Sequence, residues 1–405
     1  MNVPRSDKKW PAIVVPCYNR FSSLERLLSQ LLRADYPESS QVTLVLSVDG
    51  GGSKDVIALA RSINWPFGEK RVIEHEKNLG LKAHILNCGN LTAEFGTIVV
   101  IEDDLLISPV FYRYVLEVQR ATVLEEECLC GASLYAYRVN ETTLVRFSPV
   151  EDGFDNYYLQ MPSSWGQIWN ASSWSAFWRW YTLNEGADLS RFTPNAAVAK
   201  WGKKKGSSWK RFFAAYMVAE GKFMHFPRVS YTDNSGESGT HHKGNAYFRT
   251  ALAYELKDPL VFSKPNKSNA IYDQNFELSS KLIHRLYPEL TDLMFGVCLN
   301  GSKLNTSQLN SLVLSASKPF QHPKTWGNVF YPVELNVLLD VPGDDIGFCR
   351  KEDFDPESRS KALVLSGEKI VRVRGGFCLF ATSRRKKLLT FFLYLIRPWK
   401  AKRGE

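Results

Sequence analysis

No CxxC pair occurs in the 405 residues, and the seven cysteines (Cys17, Cys88, Cys128, Cys130, Cys298, Cys349, Cys378) are odd in number and scattered. Such spacing suggests neither a zinc knuckle nor a disulfide framework and fits a reduced compartment. Long apolar runs are missing as well. The longest late one, residues 388–396, has nine residues, whereas crossing a bilayer takes about 20. The first residues lack a secretory signal, since Lys8, Lys9 and Trp10 lead straight into a short strand-like run. The phosphate-loop pattern GxxxxGK[ST] is absent, and no GxGxxG follows the first apolar run, which argues against a P-loop and a dinucleotide cofactor. No internal repeat is present.

Charge of one sign is scarce over most of the chain. The formal net charge is +9, but residues 384–405 alone hold eight bases against one acid, Glu405. That is +7 in 22 residues and leaves only +2 for the other 383. A nucleic-acid protein spreads bases over a folded face with interleaved aromatics, so no nucleic-acid partner is expected. The 44% apolar content excludes a wholly disordered chain.

What is present begins with an alternation of strand and helix signals. Residues 12–16 (AIVVP) form a continuous apolar run, as in a buried parallel strand. Residues 21–34 carry leucines at helical spacing, with Ser22 or Ser23 as expected N-cap. Strands are predicted at 42–48, 71–75 and 97–101, and helices at 54–62, 81–91 and 111–124. This βα alternation predicts a mostly parallel, doubly wound α/β sheet. Its ligands bind at the carboxyl ends of the strands, where Asn19, Asp49 and the triplet Glu102-Asp103-Asp104 all fall. After residue 130 the pattern changes, and seven of the eleven tryptophans lie between Trp165 and Trp209. Further on, a helix is predicted at 276–286, and short strands at 309–315, 333–339, 362–365, 370–373 and 377–380.

Three acids directly after the apolar TIVVI are costly unless they leave the sheet into a polar site. Carboxylates at a strand end suit a hard divalent cation, Mn²⁺ or Mg²⁺, that keeps positions open for phosphate. Asp49, before three glycines, reads either as an acceptor for a base or ribose or as a turn residue.

The order of these motifs is recognisable. PAIVVPCYNR, VTLVLSVDGG, HEKNLGLKAHILNCG and TIVVIEDDLLISPVFYRYV together resemble the nucleotide-sugar half of GT-A fold glycosyltransferases. The bacterial family 2-like enzymes and the N-acetylglucosaminyltransferase I group are most similar. The resemblance covers residues 10–125 well. It continues more loosely to about 250, through Ser164-Trp165-Gly166-Gln167 and the segment 234–242 (NSGESGTHH). It implies a GT-A type, Rossmann-like α/β domain over 1–255, with a nucleotide-sugar half at 10–125 and an acceptor half at 126–255. A small β-rich accessory region (256–383) and a basic amphipathic tail (384–405) would follow.

By the same resemblance Pro16, Asn19 and Arg20 line the nucleotide pocket, Asp49 contacts the base, and the loop from Asn78 to Lys82 approaches base and ribose. Glu102 and Asp103 face ribose and sugar, Asp104 ligates the metal, and His241 or His242 returns toward metal or diphosphate. Lys82, Lys203, Lys204, Lys205 and Lys210 are expected diphosphate partners. Trp165 beside Gly166 is the expected acceptor contact, with Trp169 and Trp174 either framing the same sugar or serving as core. One departure stands out. Related enzymes carry an acid, the base, where this chain has Lys210. Either the base comes from elsewhere, with Glu151, Asp152, Asp155 and Asp188 the candidates and Asp155, near the aromatic acceptor segment, the expected one, or the alignment at Lys210 is loose, or the activity differs.

The function so implied is a metal-dependent, inverting glycosyltransferase using a nucleotide-sugar, a UDP-sugar above all. Its acceptor would be a surface-polysaccharide or lipid-linked glycan. The tail, with aromatic and aliphatic residues between its bases, is expected to lie on an anionic membrane, which places the protein on the cytoplasmic face. A sugar-1-phosphate nucleotidyltransferase shares the sheet but needs a Gly-rich GGxGTRLxPLT-like opening, where this chain has Asn19-Arg20-Phe21. A non-catalytic sugar-nucleotide- or glycan-binding protein is the remaining alternative.

Overall fold

The computed structural model describes residues 10–143, 145–193, 195–201, 208–235, 238–239, 242–243, 248–300, 311–355, 370–373 and 377–380. The expected strand at 362–365 and the tail 384–405 lie outside them. The chain divides into two compact units. One comprises Met1–Ala136, Glu151–Gly244 and Phe248–Gln274, and the other Tyr137–Val150, Asn245–Tyr247 and Asn275–Glu405. The first therefore runs past residue 255, and a loop from its middle belongs to the second.

In the first unit the chain alternates as β1 (Ala12–Cys17), α1 (Phe21–Leu31), β2 (Leu44–Val48), α2 (Lys54–Ser62), β3 (Lys70–Glu74), α3 (Gly80–Asn90), α4 (Thr92–Phe95), β4 (Thr97–Val100), β5 (Leu105–Ile107) and α5 (Phe111–Arg120). It continues with β6 (Leu129–Ser133), β7 (Asn156–Leu159), β8 (Gln167–Asn170), α6 (Ala171–Asn184), α7 (Ala196–Lys200), α8 (Lys210–Ala219), β9 (Phe223–Pro227), β10 (Thr232–Asn234), β11 (Ser238–Gly239), β12 (His242–Lys243) and β13 (Ile271–Tyr272). Nine of the strands make one sheet in the order β13-β7-β9-β6-β8-β4-β1-β2-β3. The run β4-β1-β2-β3 is parallel, whereas β8 is antiparallel to both its neighbours. The α/β, mostly parallel architecture expected from the alternation is the one observed.

Every residue of β1 and β2 is buried, because helices cover both faces of a parallel sheet and leave no wet side. Ile13 and Val15 join Leu24, Leu27 and Leu28 of α1 and Phe111 and Val115 of α5 in one core cluster. The tryptophan-rich region forms an aromatic core with α6 and α8. Trp169 lies 4.5 Å from Trp174, and Phe177 4.6 Å from Phe213, between ring centroids.

Two helix boundaries differ from expectation. Helix α1 begins at Phe21 with Arg20 at the N-cap position and no side-chain cap. Ser22 and Ser23 thus sit in its first turn, and Ser23 is buried. The helix ends at Leu31 because Arg33 and Ala34 turn back with shorter i→i−3 bonds to Gln30 and Leu31. Helix α5 stops at Arg120, and Thr122 then adopts a left-handed φ of 52° before a short 3₁₀ turn, Val123–Glu125.

The second unit contains α9 (Ser280–Leu286), β14 (Phe295–Cys298), β15 (Leu312–Ser315), α10 (Glu334–Leu338), β16 (Gly347–Arg350), β17 (Ile370–Val373) and β18 (Phe377–Phe380). Strands β14, β15 and β16 form one small sheet and β17 and β18 another, so this unit is partly β as expected. The strand predicted at 333–339 is instead helix α10. There the buried Asn336 amide takes the backbone N–H of Val329 and Phe330 and donates to the Phe330 and Val333 carbonyls, which requires a tight turn rather than an extended chain. The helix predicted from 276 begins only at Ser280. Phe276 has a left-handed φ of 63°, and the buried Glu277 carboxylate receives the backbone N–H of Leu299 and Asn300.

Candidate active site

The site is built where parallel strands end. Ile13 pairs with Val99 and Val14 with Val100, and Ile101 N–H donates to the Val14 carbonyl. The chain therefore leaves β1 toward Arg20 and leaves β4 toward Glu102 side by side, about 5 Å apart. Arg20 spans the acids. Its Nη2 lies 2.6 Å from Oδ1 of Asp103 and its Nη1 2.7 Å from Oδ2 of Asp104.

Charge is crowded here. Burial, then the Asp104 charge, pushes the half-buried Glu102 carboxyl up to about 8, against the opposing pull of Arg20 and Lys210. Burial raises Asp103 to about 7 even though Arg20 opposes it. Both values lie far above the ordinary carboxylate range, a perturbation typical of functional sites. Lys210 thus acts on Glu102 from the start of α8, and its Nζ also lies 4.6 Å from the Trp201 ring centroid.

Asp49 sits one strand beyond β1 and is buried. Its Oδ1 accepts from Gly50 N–H (2.9 Å) and Leu79 N–H (2.7 Å), and its Oδ2 from Gly80 N–H (3.1 Å). The side chain thereby joins the loop after β2 to the start of α3. Gly50 makes this approach possible, since a Cβ there would lie 2.2 Å from the Lys77 carbonyl carbon. Behind Asp49 lies a cluster that sequence reasoning missed. Ser47 Oγ is 3.1 Å from His75 Nε2 and 2.8 Å from His84 Nε2. Burial lowers His84 to about 4, so it is neutral at pH 7. The available signal was a lone serine inside the apolar run VTLVLSV.

The late motif also reaches the acids. Strand β10 pairs antiparallel with β5, Asn234 opposite Leu105, and Ser235 N–H donates to the Asp104 carbonyl at 3.2 Å. Asp233, not singled out from sequence, is buried, pairs with Arg249 and accepts from Thr250 N–H at 3.2 Å. His242 lies in strand β12, paired with Gly239; its side chain, His241, and Lys203, Lys204 and Lys205 lie outside the described residues.

The other expected positions distribute as follows. Asn19 and Asn78 are exposed at the strand ends, whereas Pro16 is enclosed within β1 opposite Ser47. Lys82 turns to Glu185 (3.0 Å) and over the Tyr181 and Phe212 rings. Burial opposes its charge, but hydrogen bonds to Glu185 and Tyr181 prevail and raise its pKa. Trp165 is half-buried, edge-on to Tyr135 at 4.6 Å, and its carbonyl accepts from Thr232 Oγ1 at 2.5 Å. Gly166, with φ of 88°, is packed against Leu134 and Thr232. Trp169 and Trp174 are 1% and 3% exposed, so they are core and do not frame a sugar.

Asp155 requires a correction. Both its oxygens are taken, by Lys257 Nζ (2.8 and 3.0 Å) and Val261 N–H (2.8 Å). It precedes β7, four strand positions from β4, on the order of 19 Å away. It ties a loop to the sheet rather than serving the acids. Asp152 likewise holds Arg228, Ser268 and Asn269, and Asp188 caps a 3₁₀ turn.

Residues 11–129 match the family described as "Glycosyltransferase like family 2". This segment is similar to family 2-like glycosyltransferases. Among solved structures the chain is similar to S. aureus TarS 1-349 in complex with UDP, at 14% identity and a TM-score of 0.34 over 55% of this chain and 59% of that one. It is also similar to the mannosyltransferase PcManGT from Pyrobaculum calidifontis in complex with GDP-Man and Mn²⁺, at 15% identity and a TM-score of 0.35 over 55% and 58%. The chain thus spans under two thirds of the length of each. No curated protein matches it.

Among the described residues, no group of three or more His, Cys, Asp or Glu side chains is arranged to hold an ion. The strand-end acids of the matched segment nevertheless supply carboxylate oxygens, the donor class Mn²⁺ and Mg²⁺ prefer. Burial first, and for Glu102 the neighbouring Asp104 charge second, raises the affinity of Glu102 and Asp103 for protons. The donor chemistry therefore fits a hard cation, with Asp104 the more exposed of the two acids that Arg20 holds.

Proposed function

We propose that the chain is a metal-dependent, inverting glycosyltransferase. It moves a sugar from a nucleotide-sugar, a UDP-sugar above all, to a surface-polysaccharide or lipid-linked glycan acceptor. The observation that carries the reading is the placement of Glu102, Asp103 and Asp104 at the end of β4, beside Arg20 and two strand positions from Asp49, within a segment that matches the family. Asn19, Asn78 and Asp49 hold base and ribose, Glu102 and Asp103 face the sugar, and Asp104, with His241 or His242, holds Mn²⁺ or Mg²⁺. When bound, the cation neutralises the leaving diphosphate. Lys210 lies where its charge reaches the same acids and supports a diphosphate. Trp165 and Gly166 flank the acceptor. Attack by the acceptor hydroxyl opposite the leaving group inverts the anomeric centre.

Lys210 in place of an acid, with Asp155 committed elsewhere, favours a second reading, a sugar-nucleotide- or glycan-binding protein without turnover. UDP, GDP and dTDP release is measured across a donor screen with and without Mn²⁺, on wild type and Asp104→Ala. The enzyme reading expects release that chelator or Asp104→Ala lowers on the order of 100-fold or more. Donor binding without release sinks it, and release indifferent to both treatments sinks the metal assignment. The tail 384–405 holds the protein on an anionic membrane at the cytoplasmic face. No helix among the described residues is long and apolar enough to cross one.

A further inference from the structure

We infer that Arg20 is the resting counter-ion of the acidic triad, and that it competes with the divalent cation for Asp104 until a nucleoside diphosphate takes its guanidinium. The inference rests on the glycosyltransferase reading and adds to it a coupling between the two ligands. Three observations carry it. Arg20 does not grip one carboxylate with both arms. It gives one nitrogen to Asp103 and the other to Asp104, at 2.6 and 2.7 Å. The two halves of this bridge are unequal, for the Asp103 side chain is 4% exposed and that of Asp104 18%. Finally, Arg20 stands at the N-cap position of α1 without capping it, so releasing Asp104 breaks no helix bond.

The asymmetry sets what can move. A buried charge left without its partner is strongly unfavourable, so Arg20 stays with Asp103. The Asp104 half is the more exposed and is exchangeable. A guanidinium and a divalent cation repel each other and cannot share one carboxylate without weakening both bonds. The planar fork also matches phosphate oxygens as well as carboxylate, so a diphosphate at the strand ends offers Arg20 a second partner. Whatever draws Arg20 from Asp104 raises cation affinity, and by linkage the cation raises affinity for that ligand by the same factor.

The test measures Mn²⁺ binding by electron paramagnetic resonance on the full chain, with and without UDP, for wild type, Arg20→Met and Arg20→Lys. Without UDP, Arg20→Met should bind Mn²⁺ about tenfold tighter than wild type. The enhancement by UDP, large in wild type, should shrink by the same factor. An ammonium pairs with one acid at a time and the buried Asp103 retains it, so Arg20→Lys should fold even where Arg20→Met does not and should lie between the two. Variants that bind Mn²⁺ no tighter than wild type overturn the competition while leaving the glycosyltransferase reading intact. Failure of all three proteins to bind either Mn²⁺ or UDP overturns that reading and the coupling with it.

Discussion

His225 in β9 is fully buried among Tyr158, Phe262 and Tyr114, and no hydrogen-bond partner reaches either ring nitrogen among the described residues. Burial holds its pKa down at about 3, against about 6.5 in an unfolded chain. A depressed folded pKa means that the contribution is complete above 6.5 and lost as pH falls toward 3, because the unfolded state then binds the extra proton. Between pH 6.5 and 5 the loss is about 1.4 kcal/mol per pH unit. Urea midpoints at pH 7 and pH 5 should therefore fall further for wild type than for His225→Leu, by an equivalent of about 2 kcal/mol. Equal slopes would show that His225 finds water or a partner. At this scale the sequence was legible where residue type clashed with context. Three acids after TIVVI had to leave the sheet. It was not legible where partners come from distant chain, as with Arg20 at Asp103 and Asp104, or Lys257 on Asp155, since no local pattern encodes a pair more than 80 residues apart.

At the scale of elements, α3 and α6 show how closely covering helices fit. A Cβ on Gly89 would lie 2.0 Å from the Trp174 indole, and that indole N–H donates to Asn90 Oδ1 at 2.9 Å. Alanine is the better helix former, yet here the ring cannot withdraw without losing its bond and its place beside Trp169. Gly89→Ala should thus destabilise by about 1–3 kcal/mol, seen as a lower thermal midpoint, and Gly89→Ala with Trp174→Leu should recover part of the loss. A more stable single variant would mean that α6 shifts freely. The strands of the parallel half were legible because burial on both sides demands unbroken apolar runs. Helix α10 was not, because its fold turns on the four bonds of one buried asparagine, and VELNVLL alternates well enough to pass for a strand.

At the scale of the whole molecule, the charge lies mostly in one terminal segment, eight bases and one acid in residues 384–405. Bases near an anionic surface contribute roughly 1 kcal/mol each, and the apolar run between them adds burial at the interface. Removing residues 384–405 should lower binding to phosphatidylserine-containing vesicles at least about tenfold, steeply with salt, and leave nucleotide release with a soluble acceptor unchanged. Equal vesicle binding by the two proteins would refute the anchor. The composition shift after residue 255 was legible, but the division was not. The first unit takes Phe248–Gln274 and gives up Tyr137–Val150, because strand β13 completes the edge of the large sheet beside β7. Such pairing leaves no mark in composition.

By itself the sequence determined the α/β alternation, the polar residues at the strand ends and the surplus of acid at 102–104, since each follows from local periodicity and from the cost of burying charge. Only the tertiary structure decided which groups meet those acids. Arg20 reaches them because β1 and β4 are neighbours in register, and Asp155 does not because four strand positions intervene. Spatial adjacency in a sheet is set by strand order, and strand order is a property of the folded whole.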